Sequence, residues 1–344
     1  MKAHVCFGRK WAPRNRLIMA LPIAAIGIAE MLAMAPRRTQ RAGTYVGFWR
    51  TLQIILMKGP THSPATGLHV YRLVGNAKVG CGFITWSFAK QPELLDLVLE
   101  LSPAAIMFSF GAPGPFAARI HATGTPLICQ LQTMAHARAA VDAGAAIIVA
   151  QGAEAGGHGL LRATLTLVPE VADMLAAVSP DTLLLAAGGI ADGRGLAASL
   201  MLGADGVLIG SRFWATAEAL VNPAFQNAAI AAEGDATIRT SVPDRLRKID
   251  WPEFVSARVM RNRIINDWHG REAQLADDAI IEREGARYFA AVQTGDADNT
   301  GVWVGEAAGM IRDVQRAGDV VQRIVREAER LLAVKAPGFV KAGR

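Results

Sequence analysis

Residues 182–211 read TLLLAAGGIADGRGLAASLMLGADGVLIGS. An apolar run closes on Gly188-Gly189, a stretch with helical spacing follows over 193–203, and a second apolar run, 205–211, closes on Gly210-Ser211. Strand, helix and strand in that succession form a βαβ unit, the connection that parallel strands require. Both runs are solidly apolar rather than alternating, so both faces of the sheet are covered.

The same succession extends upstream. AAIIVAQG (145–152) precedes a helical stretch over 167–178, PLICQLQ (126–132) precedes 134–144, and AAIMFSF (104–110) precedes 114–124. KVGCGFIT (78–85) precedes 91–102, where Leu94, Leu95, Val98 and Leu101 share one side. Six parallel strands joined by single helices close into a (β/α)8 barrel or stay an open doubly wound sheet. No early strand–GxGxxG–helix is present, which counts against the open dinucleotide-binding sheet. A barrel needs two more strands, expected at 21–27 and 44–49.

After Phe213 the rhythm stops. SVPDRLRKIDWPEF (241–254) and NRIINDWHGREAQL (262–275) read as polar helices of an inserted lobe, and 302–334 returns to amphipathic helix suited to the barrel's outer layer. The expected organisation is an atypical N-terminal segment (1–75), a barrel core (76–222), a helical substrate lobe (223–307) and C-terminal helices packing on the barrel (308–344).

Composition narrows the classes. The chain has 344 residues, 51% of them hydrophobic, enough for one large α/β domain with an appendage. Cys6, Cys81 and Cys129 form no CxxC or Cys/His cluster, so neither disulfides nor structural zinc are expected, and a reducing cytoplasm is the default. The net charge of +6 is unevenly placed: residues 1–75 hold eleven Lys/Arg against one acid, Glu30, leaving 25 bases and 29 acids beyond. A nucleic-acid-binding domain spreads its charge over a folded face, so no nucleic-acid partner is expected. RLIMALPIAAIGIAEMLAMAPRR (16–38) has the flanks of a signal peptide or anchor, but Glu30 and Pro22 interrupt it; the competing reading is a first strand followed by a short helix.

Active-site residues of a parallel barrel lie just past the strand ends. Three such ends carry glycine: Gln151-Gly152 followed by AEAGGHG, Gly188-Gly189 followed by IADGR, and Gly210-Ser211. Without a Cβ, backbone N–H groups can approach a ligand, and two adjacent strands ending this way suit a phosphate. Glycines here also serve simply to turn the chain. His158 sits on the first ledge, where an imidazole can exchange protons near neutral pH or can merely cap a loop. Glu154 and Asp192 read as helix caps, Arg194 and Arg212 as phosphate neutralisers or surface ion pairs, Cys81 and Cys129 as core, and the Trp residues as packing.

QGAEAGGHG, AAGGIADGRGLAASLMLGADGVLIGSRFWAT and GNAKVGCGFITW together resemble the FMN-dependent nitronate monooxygenases, from about Gly75 to Thr216 and more loosely through DWHGRE and WVGEAAGMI. The resemblance implies a TIM barrel with an inserted helical lobe, an FMN flavoprotein and oxidoreductase that oxidises alkyl nitronates with dioxygen. It implies FMN phosphate contacts from Gly188, Gly189, Gly210 and Ser211. Thr85 and Gln130 would face the isoalloxazine or ribityl chain, Gln151, Gly156 and Gly157 would line the flavin edge, and His158 would be the catalytic histidine. The alternatives are an FMN-dependent NAD(P)H:quinone or enoyl reductase, for which hydride transfer to flavin needs no base, and a non-catalytic barrel remnant. The family's Ala-Pro-Met-like first turn is missing from LPIAAIGIAEMLAMA, and its glycine-rich second strand survives only as AGTYVGFW. The first two βα units are therefore degenerate. A shifted reading frame across about 24–74 would produce such a composition.

Overall fold

The computed structural model describes residues 79–335 and three short strands before them, β1 (Leu17–Met19), β2 (Met31–Met34) and β3 (Gln53–Met57). The six expected strands follow as β4 (Val79–Ile84), β5 (Ile106–Ser109), β6 (Leu127–Leu131), β7 (Ile147–Gln151), β9 (Leu183–Ala187) and β10 (Gly206–Ile209), with β8 (Gly157–Gly159) between β7 and β9. The hydrogen-bonded order is β1-β2-β10-β9-β7-β6-β5-β4-β3, and every pair from β3 to β10 is parallel. β2 pairs antiparallel with both β1 and β10, where a regular barrel would carry a parallel first strand. The strands expected at 21–27 and 44–49 lie outside the described residues.

Solid apolar strands have a simple consequence: alternate residues feed two cores. Met107, Ile128, Val149, Leu185, Ala187 and Leu208 fill one face of the sheet. Their neighbours Phe108, Cys129, Ile148, Ala150, Leu184, Ala186 and Val207 pack the other, under the helices. Burial pushes the Cys129 thiol up to about 12 and raises Cys81 as well, so both are inert core.

The Thr164–Val178 helix begins before residue 167, because the Glu154 carboxylate accepts from the Thr164 N–H and hydroxyl at 2.9–3.0 Å. Asp192 caps the Gly193–Met201 helix through the Arg194 and Gly195 N–H groups. The C-terminal Ala317–Arg330 helix lays Val320, Val321, Ile324 and Ala328 into the outer core. It crosses closely at Gly193, whose N–H donates to the Glu327 carboxylate at 2.8 Å.

The inserted lobe is not purely helical. β11 (Thr237–Thr240) and β12 (Ser256–Met260) pair antiparallel, and β8 joins them as the third strand. The expectation of a helical lobe misses both strands, which flank the segments read as helices, because IRT and ARVM are too brief to show a period-two pattern. A second small core, with Val242, Leu246, Val259, Ile264, Ile281 and Tyr288, holds the lobe together.

Candidate functional site

A cavity with about 970 Å³ of space, part of it open to solvent, lies past the ends of the parallel strands and beneath the lobe. Nine of the ten residues singled out in the sequence line it: Gln130, Gln151, Gly156, Gly157, His158, Gly188, Gly189, Gly210 and Ser211. Thr85 does not. It opens a short helix after β4, is buried, and turns its hydroxyl to the Ser109 carbonyl at 2.9 Å; Ile84 lines the cavity in its place. A threonine at a strand end can satisfy its hydroxyl on the neighbouring strand, and here that bond decides its direction.

The barrel side is made of backbone. Gly188 and Gly189 have φ of 101° and 73°, a left-handed pair that turns β9 into the following helix. A Cβ placed at Gly210 meets nothing within 4 Å, so the cavity reaches the main chain there. The Ser211 hydroxyl accepts from the Gly305 N–H at 2.9 Å and keeps its own proton to donate. Gly156 is glycine for another reason: a Cβ there would lie 2.6 Å from the Gly305 nitrogen, in a backbone crossing that the Glu306 N–H seals on the Glu154 carbonyl.

The glutamines are spent largely on one another. Gln130 and Gln132 both donate to the Gln151 side-chain oxygen, and Gln151 donates to the His158 carbonyl at 2.9 Å. Gln151 therefore holds the histidine's main chain. Arg239 and Arg258 hold the ledge from outside, both donating to the Ala153 carbonyl, at 3.1 and 2.8 Å. Burial first, then the neighbouring Arg258 charge, push Arg239 down to about 10.

The lobe side is made of side chains. The His158 ring lies flat on Trp251, with centroids 3.7 Å apart and planes 14° apart. Trp303 lies 5.5 Å and Phe110 6.4 Å from it. Phe110 sits at φ 61°, an outlier for an aromatic residue, at the point where β5 meets the cavity. His158 Nε2 is 3.0 and 2.9 Å from the two oxygens of Asp244, and the two side chains are only 7% and 4% exposed.

Asp244, Trp251, Trp303 and Phe110 were missed in the sequence. For Asp244 and Trp251 the signal was faint, an acid and a Trp inside one polar stretch, VPDRLRKIDW, distant in the chain from the barrel strand ends, whereas Phe110 closes the strand read at 104–110. Arg194 pairs with Asp192 on the surface. Arg212 is 1% exposed and pairs with Asp313 at 3.0 Å, so it is an interior link to the C-terminal segment rather than a surface ion pair, and it does not line the cavity. Among the described residues, no group of three or more His, Cys, Asp or Glu could hold a metal ion, and no helix is long and apolar enough to cross a membrane.

The family model described as nitronate monooxygenase matches residues 83–327, beginning past the atypical N-terminal segment. The nitronate monooxygenase of Neurospora crassa is 34% identical over 260 residues, 73% of this chain and 65% of the relative, so the chain spans just under two thirds of that protein's length. The solved structure of FabK from Thermotoga maritima superposes with a TM-score of 0.69 at 26% identity, covering 84% of this chain and 88% of that one. Nitroalkane oxidase from Streptomyces ansochromogenes matches in fold, with a TM-score of 0.62 at 24% identity over 83% and 82% of the two chains. The architecture is that of a TIM barrel with an inserted lobe, in which the described strand β2 runs antiparallel to its neighbours.

Proposed function

The chain belongs to the nitronate monooxygenase family, and from that premise we propose that it oxidises small alkyl nitronates with dioxygen, using FMN at the barrel mouth. The cavity geometry supports the cofactor. Space reaches the main chain at Gly210, the Gly188-Gly189 turn is left-handed, and Ser211 retains a proton to donate, which together suit a phosphate. Gln130, Gln151, Gly156 and Gly157 would border the flat ring. Bound FMN would supply the electron-accepting chemistry and the reaction with dioxygen.

The observation that carries the reading is His158, placed on the rim of this cavity and held by a buried acid. A nitroalkane has an acidic C–H beside its nitro group. His158 removes that proton, and the nitronate it leaves is the species that is oxidised. Phe110, Trp251 and Trp303 give the part of the cavity next to His158 an apolar wall, which suits a short alkyl chain.

Purified protein should be yellow and should consume oxygen when given a preformed nitronate, with no comparable turnover of NADH and a quinone. The reverse preference would assign the site to reductase chemistry, and a colourless protein that takes up no FMN would sink the proposal. His158→Asn should keep the flavin spectrum and lower the rate on a neutral nitroalkane by about 10²–10⁴, the range for a lost general base. An unchanged rate would remove His158 from that role.

A further inference from the structure

Asp244 stands in the first turn of the short Val242–Leu246 helix, yet its side chain makes no capping bond to that helix. Its main chain is occupied locally: the N–H donates to the Ser241 carbonyl, and its carbonyl accepts from Ile249. The carboxylate turns instead toward His158, 86 residues away in sequence. A carboxylate this buried is costly unless it is paired. Arg247 Nη1 lies 4.0 Å from Asp244 Oδ1, with the guanidinium seated over the Trp303 ring.

We infer that Asp244 is the positioning residue of His158, fixing the tautomer of the imidazole from the lobe. A carboxylate facing a ring nitrogen accepts from it, so Nε2, the nitrogen turned to Asp244, carries a proton. Trp251 fixes the plane of the ring and Asp244 fixes its rotation within that plane. Backbone pairing of His158 with Ala257 anchors the residue beneath both. When the ring takes up a substrate proton it becomes an imidazolium and the Asp244 charge stabilises it, the role a buried acid has beside a catalytic histidine. Glu154, the acid near His158 in sequence, cannot substitute, because it caps Thr164.

The inference rests on reading His158 as the base, and its test has one arm that does not. Nitrogen-15 NMR of the full-length, flavin-loaded protein reads the His158 ring directly: Nε2 is expected to be protonated in the wild type and to lose that preference in Asp244→Asn. A wild-type ring protonated at Nδ1 alone would overturn the inference whether or not the variant folds. The kinetic arm compares substrates. In Asp244→Asn the ratio of the rate on a neutral nitroalkane to the rate on its preformed nitronate should fall about 100-fold, and Asp244→Glu should restore part of it, because only the neutral substrate needs a proton removed. Equal losses on both substrates would mean that the residue merely supports the fold. A wild type that turns over neither substrate would refute the proposed function while leaving the NMR arm decisive for Asp244.

Discussion

The barrel side of the cavity offers backbone: Gly188, Gly189 and Gly210 on adjacent strand ends, with one hydroxyl, Ser211. The lobe side offers side chains: Trp251, Trp303 and, behind them, Asp244, with His158 meeting them from the ledge. A wall of main chain suits an anion or a flat ring that must come close, and it is tolerant of sequence everywhere except at the missing Cβ. A wall of indoles and one carboxylate suits the control of a single proton in a dry place. The two walls should therefore fail separately, one by losing the cofactor and the other by losing the proton step.

The sharpest way to break that division is Gly210→Val. Gly210 has φ −96°, which any residue adopts, and nothing lies within 4 Å of its Cβ position, so the branched side chain enters the cavity without straining the turn. FMN affinity should drop at least about 100-fold, about 2.7 kcal/mol, while the urea midpoint stays close to wild type. Titration of the apoprotein with FMN, followed by fluorescence, measures it. Unaltered affinity would move the phosphate site away from this wall.

Trp251→Ala tests the opposite wall. The stack with His158 is lost while the glycine turns are untouched, so flavin absorbance should persist. kcat/KM on a neutral nitroalkane should fall about tenfold, in line with about 1.5 kcal/mol for an aromatic contact. Loss of flavin in this variant would erase the distinction between the walls. The smallest effect belongs to Asp192→Ala, which removes the cap behind the Gly188-Gly189 turn. Stability to urea should decrease by about 1 kcal/mol, with the rate on bound substrate changing little. A large catalytic loss there would mean that Asp192 acts on the ligand rather than on the helix.

Much of the barrel wall was legible because its determinants are local. The strand-then-glycine pattern of LLLAAGG or GVLIGS says within one segment that the chain is extended, buried and then turned without a side chain. Asp192 reads as a cap from its own neighbours for the same reason. Thr85 was misplaced because its hydroxyl had two possible partners, the cavity and the Ser109 carbonyl, and only the adjacent strand decided between them. Arg212 reads in the sequence as a phosphate neutraliser or a surface ion pair because an arginine is rarely buried; Asp313, far along the chain, makes its burial tolerable. The lobe was read as helical because its two strands are short and pair with the ledge rather than only with each other.

By itself, then, the sequence determined a parallel βα array, the glycine turns at its strand ends and the histidine on one of them, all consequences of short-range sterics and the burial of apolar runs. What only the tertiary structure decided is the histidine's company. Asp244 and Trp251 reach it because β12 of the lobe hydrogen-bonds to β8 of the ledge. That pairing joins residues distant in the chain, and no local propensity encodes which distant carboxylate an imidazole will meet.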